Sequence, residues 1–278
     1  MKATAKPFTF KAKYWLYIPL LLMSVFYLLP MYVMLVTGFK GFDEVSLRTM
    51  WSLPSSLKME NFIEAYHQLA PYLWNSFKMV LPAAIISSIL GSLNGFVLSK
   101  WKFPGADIIF PLILFGMFIP YQSILIPLVE FMRRINLYGG IPGLILTHVI
   151  YGIPITTLTF RNYYAGIPKE LVEAGRIDGA SMLKIYRYIL LPISMPAFVV
   201  VLIWQFTSAW NDFLFAVVLS SPSNWPITVA LNNMAGSQII AWNIQMAGSF
   251  LAAVPTLLVY IFLGRYFLRG LMAGALKG

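Results

Sequence analysis

The segment best suited to binding another protein reads PKELVEAGRIDGASMLKIYRYILLP at positions 168–192. Small and apolar residues recur in it at three- and four-residue steps, at Leu171, Ala174, Gly175 and Ile177. This spacing places them on one face of a helix. A short amphipathic helix of this kind suits a groove in another protein.

A turn and a second helix are expected directly after the first. Gly179 ends the apolar pattern, as a residue that is free to adopt positive φ should. Ser181 can then cap a second helix that begins at Met182. Pro168 suits the first turn of the first helix, because the N–H that proline lacks would have no partner there. The residues predict a helix–turn–helix, although an ordinary basic loop fits them equally well.

The sequence shows none of the usual patterns of catalytic or cofactor-binding residues. No G-x-x-x-x-G-K-[ST] phosphate loop occurs, so ATP binding by that route is not expected. His67 and His148 have no partners at metal-ligand spacing, and neither a nucleophile elbow nor a carboxylate pair stands out. The chain has no Cys, which excludes a disulfide and a Cys-based metal site. We therefore expect no enzyme activity and no cofactor bound by this chain.

The composition is that of a membrane protein. The chain is 59% hydrophobic and 11% charged, whereas soluble domains are about 25% charged. The net charge of +10 would suggest a nucleic-acid partner in a soluble protein. In a membrane protein the excess of Lys and Arg in cytoplasmic segments explains it, so no nucleic acid is expected.

The apolar runs predict an all-α protein with six transmembrane helices. A helix needs about 20 residues to cross the hydrocarbon core. The candidate runs are Tyr14–Phe39, Asn75–Ser99, Ile108–Val129, Pro142–Phe160, Ser194–Leu219 and Ala247–Leu268. The first is too long for a signal peptide and reads as an uncleaved anchor. Segment Ser220–Gly236 contains turn residues and reads as an outer loop.

Basic residues predict the orientation. With the N-terminus inside, the cytoplasmic segments hold 14 of the 20 Lys and Arg residues and the outer segments hold 6. Both termini are therefore expected on the cytoplasmic side of the membrane. The chain is expected to be a multi-pass protein embedded in the lipid of a bacterial inner membrane. The longest hydrophilic segments, 40–74 and 161–193, are too short for a soluble domain. Residues 1–278 are read as one membrane domain.

The loop at 161–193 resembles the EAA loop of the permeases of binding-protein-dependent ABC importers. That pattern is E-A-A, three residues, G, nine residues, I-x-L-P. The matching residues are Glu173, Ala174, Gly175, Gly179, Ile189, Leu191 and Pro192. Gly175 replaces the second Ala, a small-for-small change that we expect to loosen the helix without altering its reach.

Short motifs along the chain are similar to the carbohydrate branch of that family. They resemble the shorter permease of the maltose and glycerol-phosphate importers. The motifs are Phe103-Pro104-Gly105, Pro120-Tyr121-Gln122, Ile126-Pro127-Leu128, Gly143-Leu144-Ile145-Leu146, Trp210-Asn211-Asp212-Phe213 and the tail Arg269-Gly270-Leu271 to Lys277-Gly278.

The resemblance implies a type I ABC importer permease fold and a set of partners. These are a second homologous permease, two ATP-binding subunits that hold ATP and Mg, and an extracytoplasmic solute-binding protein. The EAA loop and the tail Gly274–Gly278 would contact the ATP-binding subunits. The residues implied in coupling are Leu171, Glu173, Ala174, Gly175, Ile177, Asp178 and Gly179.

Polar residues late in the fifth predicted span are candidates for the substrate pathway. Asp212 is the clear carboxylate candidate within a span, and an ionised group there should face a wet cavity or a partner. With Asn211, Phe215 and Gln122 it forms the predicted pathway set. Asp212 could equally bond loop backbone or the partner permease and hold an outer gate.

The sequence leaves three candidate functions. The first is a permease subunit of an ABC importer for a sugar, an oligosaccharide or a related polyol. The second is a stand-alone secondary transporter or channel, which should show inverted repeats or buried coupling charges. The third is a structural membrane scaffold. Neither repeats nor buried coupling charges are evident in the sequence, and the first function is the prediction.

The predicted topology can be tested by labelling single cysteines, because the chain contains no Cys. We expect Ser181→Cys to resist a membrane-impermeant thiol reagent in intact cells and to react after the membrane is opened. Ser55→Cys, in the outer segment 40–74, is the matched control and should react in intact cells. Labelling of Ser181→Cys from outside would overturn the orientation.

Overall fold

The computed structural model describes residues 14–101, 103–236 and 240–275, with side chains up to residue 266. Regular structure in these ranges is helical, apart from one isolated bridge between Gly139 and Ser220. We number the helices in chain order: α1 Tyr17–Gly38, α2 Glu60–Lys100, α3 Ala106–Phe115, α4 Leu125–Arg134, α5 Ile141–Ala165, α6 Lys169–Ile177, α7 Met182–Ile193, α8 Met195–Trp210, α9 Leu214–Leu219, α10 Ile227–Ala235 and α11 Trp242–Ala275.

Among the described residues, four helices are long and apolar enough to cross a membrane. They are α1, α2, α5 and the part of α11 from Trp242 to Tyr266. Two further candidates are pairs of helices that bend sharply, by 91° between Ala106–Phe118 and Tyr121–Arg134 and by 77° between α7 and α8. If each bent pair counts as one span, the total is the predicted six.

The third span, predicted over Ile108–Val129 as an apolar run interrupted by Pro120 and Pro127, consists of two helices. The chain turns by 91° after Phe118. Ile119 has extended backbone angles, φ −76° and ψ 116°, as the residue before a proline prefers. Pro120 also lacks the N–H needed to continue the helix. The break leaves irregular backbone between α3 and α4.

The fifth span, predicted over Ser194–Leu219, is also interrupted. Helix α8 ends at Trp210, and α9 starts afresh at Leu214. The Asp212 carboxylate accepts bonds from the backbone N–H groups of Phe215 at 3.4 Å and Ala216 at 3.0 Å. A short acidic side chain thus replaces the helical partners of these two groups, which favours a break over a continuous helix.

The segment Ser220–Gly236 was predicted to be a loop and contains helix α10. Ile227, Val229 and Ala230 on α10 are buried. The backbone N–H of Ile227 donates to the Ser76 hydroxyl at 2.8 Å, which fixes the start of the helix. The segment has no continuous helix, as predicted, but the nine-residue helix within it, which was not predicted, packs its apolar residues inward. Helix α2 likewise begins at Glu60, inside the predicted outer segment 40–74.

The chain divides into two compact units. The smaller one comprises residues 1–68 and 234–251. Its described part buries Lys40, whose side chain is 1% exposed and whose ammonium donates to the carbonyl of Thr49. The Asn61 amide donates to the carbonyls of Gly38 and Lys40, each at 2.8 Å. These bonds hold the chain that follows α1.

The larger unit comprises residues 69–233 and 252–278 and contains the close contact of α2 with α5. Two glycines of α2 allow it. A Cβ at Gly91 would lie 2.4 Å from Cβ and 2.8 Å from the backbone carbon of Thr156. A Cβ at Gly95 would lie 2.6 Å from the backbone nitrogen of Arg161. Only glycine fits, because backbone atoms cannot move aside as a flexible side chain can.

We expect Gly91→Ala to destabilise the protein by about 1–3 kcal/mol, the usual cost of overpacking a core. Gly264→Ala is the matched control, because a Cβ at Gly264 meets no atom within 4 Å. Both substitutions raise the helix propensity of their position, so the two variants differ only in whether the new Cβ meets neighbouring atoms. Thermal unfolding of the purified chain in detergent measures the effect. Equal melting temperatures for the two variants would contradict the close contact.

Candidate functional site

Helix α6 ends as the glycine pattern predicted. Gly179 has φ +75°, in the left-handed region. The N–H of Ala180 donates to the carbonyl of Gly175 at 2.9 Å, and the N–H of Gly179 donates to that of Arg176 at 3.0 Å. This pair of bonds is the Schellman motif, which closes the free carbonyls at a helix end. The turn at Gly179 is therefore well defined.

The apolar face predicted on α6 is divided between two sides of the helix. Val172 and Gly175 are buried, whereas Leu171 is 41% and Ile177 is 86% exposed. The other predicted coupling residues of this segment, Glu173, Ala174, Asp178 and Gly179, are also exposed. One side of α6 thus packs on the protein and the other presents apolar and acidic groups outward.

Gly175 is small because α6 packs closely on α7. A Cβ at this position would lie 3.0 Å from Cδ1 of Ile189 and 3.1 Å from Cγ1 of Ile185. The sequence reading treated the glycine as a change that loosens α6. The structure gives it a packing contact that tolerates only a small residue.

The second helix of the loop begins at Met182, as predicted, but its cap differs. Ser181 has extended backbone angles, and its side chain makes no capping hydrogen bond. Pro168 occupies the cap position of α6 and not its first turn. Helix α7 contains a π-helical turn at Tyr186–Leu190, and π turns are often found at functional sites.

Four buried hydroxyl groups connect this loop to the membrane helices. The Ser92 hydroxyl lies 2.6 Å from the Tyr164 hydroxyl and 2.9 Å from that of Tyr186. Tyr164 in turn donates to the Ser194 hydroxyl at 3.1 Å. The network joins α2, α5, the π turn of α7 and the bend before α8. Each hydroxyl is satisfied, as burial requires.

Apolar packing surrounds the hydroxyl network. The buried residues of this cluster come from α2, α5, α6, α7, α8 and the connection between α5 and α6, and are Phe96, Phe160, Tyr164, Ile167, Val172, Ile185, Tyr186, Leu190, Ala197, Phe198 and Val201. Each large apolar side chain contributes about 1.5–3 kcal/mol when fully buried. The loop is therefore held rigidly at its base.

Two cations complete the contact of the loop with the end of α2. The Lys100 ammonium donates to the carbonyl of Ile167 at 2.6 Å. The Arg176 guanidinium lies 5.2 Å from the ring centroid of Trp101, within the range of a cation–π interaction. These bonds leave the opposite side of α6 free of such contacts to the described residues.

A cavity of about 920 Å³ lies between the break after α3, helix α5, the end of α8 and the start of α9. Three of the four predicted pathway residues line it, namely Asn211, Asp212 and Phe215. Gln122 is exposed and is not among the lining residues. The structure thus brings together the residues near position 212 and leaves Gln122 apart from them.

Asn211 and Phe215 do not share a face of one helix, because the helix ends at Trp210. Asn211 and Phe215 reach one cavity through the break itself. Asp212 bonds local backbone and lines the cavity at once, and its own carbonyl accepts from the Thr228 hydroxyl at 2.7 Å.

Aromatic rings form one side of the cavity. The ring of Phe215 lies 5.0 Å from that of Tyr151, 5.5 Å from that of Tyr121 and 6.0 Å from the imidazole of His148, measured between centroids. Such distances and tilted angles are those of favourable aromatic pairs. Trp204 adds a further ring to the lining.

Two polar residues of the cavity were missed as pathway candidates. His148 Nε2 lies 3.6 Å from Asp212 Oδ2, and Gln205 is 7% exposed on the neighbouring helix α8. The sequence shows His148 only as a histidine without partners at metal-ligand spacing. Gln205 could have been found as a polar amide in the middle of an apolar run, at a depth where such groups are functional by default.

Taken together, the membrane-spanning helices, the broken spans around a cavity and the anchored helix–turn–helix define a membrane permease. The chain belongs to the family described as binding-protein-dependent transport system inner membrane component, whose profile matches residues 83–272. It is therefore an integral membrane permease of the ABC importer class.

Relatives from archaea and bacteria carry names of this class. A probable ABC transporter permease of Pyrococcus horikoshii is 47% identical over 96% of this chain and 98% of that protein. The xylose/arabinose import permease XacI of Haloferax volcanii is 37% identical over 90% of this chain and 89% of that protein. The glucose import permease GlcU of Saccharolobus solfataricus is 34% identical, over 92% of both chains.

Solved structures confirm the predicted type I permease fold. One chain of a bacterial ABC transporter that imports the acidic polysaccharide alginate aligns with a TM-score of 0.79 and 19% identity, over 95% of this chain and 100% of that chain. A chain of the inward-facing MetNI methionine transporter aligns with a TM-score of 0.55 and 17% identity, over 81% of this chain and 99% of that chain. Identities this low support the fold alone.

We expect Tyr186→Phe to lower stability by about 1 kcal/mol, because it removes one hydroxyl from the buried network. Tyr188→Phe is the matched control, since Tyr188 is 69% exposed and should change stability by less than about 0.5 kcal/mol. Thermal unfolding in detergent measures both. A double-mutant cycle with Ser92→Ala isolates the Ser92–Tyr186 bond, and additive effects would show that the two do not interact.

Proposed function

We propose that this chain is a permease subunit of an ATP-driven importer for a sugar, an oligosaccharide or a related polyol. The single observation that carries the sugar assignment is its 37% identity, over 90% of the chain, with a permease named for xylose and arabinose import. The glucose import permease, which is 34% identical, supports the same assignment. The aromatic and polar lining of the cavity suits a ligand with ring faces and hydroxyl groups.

The importer would contain partners that this chain does not supply. We infer a second homologous permease, two ATP-binding subunits and an extracytoplasmic solute-binding protein; the family description, which names binding-protein-dependent transport, supports the last of these. ATP and Mg would bind to the ATP-binding subunits, where hydrolysis would take place. This chain would then have no enzyme activity of its own and would form half of the translocation pathway.

The exposed side of α6 is the proposed contact with an ATP-binding subunit. Leu171 and Ile177 expose apolar surface there, while Glu173 and Asp178 add negative charge. An amphipathic helix with this pattern fits a groove in a partner. The buried side, with Val172 and Gly175, ties the helix to the membrane region, so the whole loop can act as a rigid coupling element.

We propose that residues 1–278 form one permease domain with both termini in the cytoplasm. The family match over residues 83–272 supports a single domain, and the boundary of the two compact units at Gln68–Leu69 falls inside helix α2. The excess of basic residues supports the orientation.

The tail Gly274–Gly278 is proposed to reach the ATP-binding subunits, and its residues 276–278 lie outside the described residues. A bacterial inner membrane stays a prediction, since relatives include archaeal proteins.

The proposed pathway passes the cavity at the start of α9. Asn211, Asp212 and Phe215 line this cavity and would face the passing substrate. Asp212 also bonds the backbone of α9, so it would hold the pathway wall while contributing to it. Gln122, which was predicted with them, directly follows the lining residue Tyr121 and is not itself among the lining residues.

An importer reconstituted in proteoliposomes tests the function and the coupling together. We expect sugar uptake that depends on ATP and on the binding protein. Uptake by this chain alone, without ATP, would identify a secondary transporter or channel instead. The assembled complex then serves for variants of the loop.

We expect Glu173→Lys and Gly179→Pro to abolish at least about 90% of ATP-driven uptake. The Lys reverses a charge on the exposed side of α6, and Pro cannot adopt the φ of +75° found at Gly179. Glu64→Lys, at an exposed position of α2 far from the loop in sequence, is the matched charge control and should transport normally. If both loop variants assemble and transport like wild type, the coupling role is wrong.

A further inference from the structure

Two buried polar atoms at the cavity have no hydrogen-bond partner among the described residues. They are Nε2 of Gln205 and Nε2 of His148. Gln205 is 7% exposed, and the His148 side chain is 10% exposed. A buried polar group without a partner costs about 1–3 kcal/mol, so a site that keeps two of them is built for something that satisfies them.

The absence of a side chain at Gly152 leaves room for the Gln205 amide. A Cβ at Gly152 would lie only 2.1 Å from Gln205 Nε2, so the amide occupies space that any other residue at 152 would fill. His148 lies one turn before Gly152 on the same helix α5, about 6 Å away along the helix axis. Both groups line the cavity.

An acceptor, the Asp212 carboxylate, lies next to the His148 imidazole. Oδ2 of Asp212 is 3.6 Å from His148 Nε2, beyond hydrogen-bond distance but close enough for one small polar group to contact both. A hydroxyl group can donate to a carboxylate and accept from an amide at the same time. The arrangement matches a ligand that carries several hydroxyl groups.

The charge of the cavity selects among hydroxylated ligands. Asp212 lines it, and neither Lys nor Arg occurs among the described lining residues. A ligand with a carboxylate would meet a like charge without a compensating cation, which costs binding energy. Aromatic side chains, among them Tyr121, Tyr151 and Trp204, offer apolar faces to the ring of a sugar.

We propose that this subunit itself holds a binding subsite for a neutral sugar or polyol, in which Gln205, His148 and Asp212 bond the hydroxyl groups. The proposal deepens the proposed function, because it assigns substrate class and recognition to this chain's cavity. A volume of about 920 Å³ accommodates a mono- or disaccharide together with water.

The test uses the purified full-length chain in detergent, with D-glucose and D-glucuronate as matched probes that differ in one carboxylate. Saturation-transfer NMR detects the weak binding expected for a transport pathway. We expect saturable transfer to glucose and at least about fivefold weaker binding of glucuronate, because like charges disfavour the latter. Absence of saturable glucose binding, or equal binding of the two probes, would overturn the proposal.

Variants separate recognition from folding. Gln205→Leu keeps the size of the side chain and removes the amide, so we expect the dissociation constant for glucose to rise about 2- to 10-fold. Gln68→Leu makes the same change at an exposed position and should leave binding unchanged. Asp212→Asn should reduce the difference in binding affinity between glucose and glucuronate. Unchanged glucose affinity in Gln205→Leu, with a melting temperature like wild type, would contradict the subsite.

The result of the sugar-binding test does not depend on whether the importer assembles. If glucose binds as described and no ATP-dependent uptake is found in proteoliposomes, the proposed function fails and the subsite stands. If ATP-driven sugar uptake occurs and Gln205→Leu alters neither binding nor half-saturation, the subsite fails and the importer function stands.

Discussion

The close contact of α2 with α5 is the constraint on which the rest of the larger unit depends. Gly91 and Gly95 let the two backbones approach, and Ser92 between them then reaches the hydroxyls of Tyr164 and Tyr186. Within a membrane there is no bulk water to satisfy such groups, so they must satisfy one another. A larger residue at either glycine would separate the helices and leave polar groups unpaired in the core.

Breaks in two spans follow a related rule. Irregular backbone is tolerated at membrane depth only where protein or a cavity surrounds it. The break at Ile119–Pro120 and the break between Trp210 and Leu214 border the same cavity, and the Asp212 carboxylate bonds two of the freed N–H groups. The irregular segments are thus the places where polar groups can face a substrate.

Features that depend on neighbours in sequence could be predicted, and features that depend on neighbours in space could not. Apolar runs and the glycine at 179 gave the helices and the turn, because span length and positive φ are local properties. The need for a small residue at 175 comes from Ile185 and Ile189 on another helix. The pairing of His148 with Asp212, and the position of Gln205 over Gly152, likewise require the packed structure.

Helix α8 connects the base of the helix–turn–helix loop to the cavity. It begins at the bend beside Ser194, whose hydroxyl belongs to the buried network, and carries Gln205 into the cavity. Its 16 residues span about 24 Å. At its far end the Trp210 indole donates to the carbonyl of Ala252 at 3.0 Å, and its ring stacks on Phe206. Helix α8 thus joins the buried hydroxyl network at the base of the proposed coupling loop to the cavity wall in which Gln205 lies.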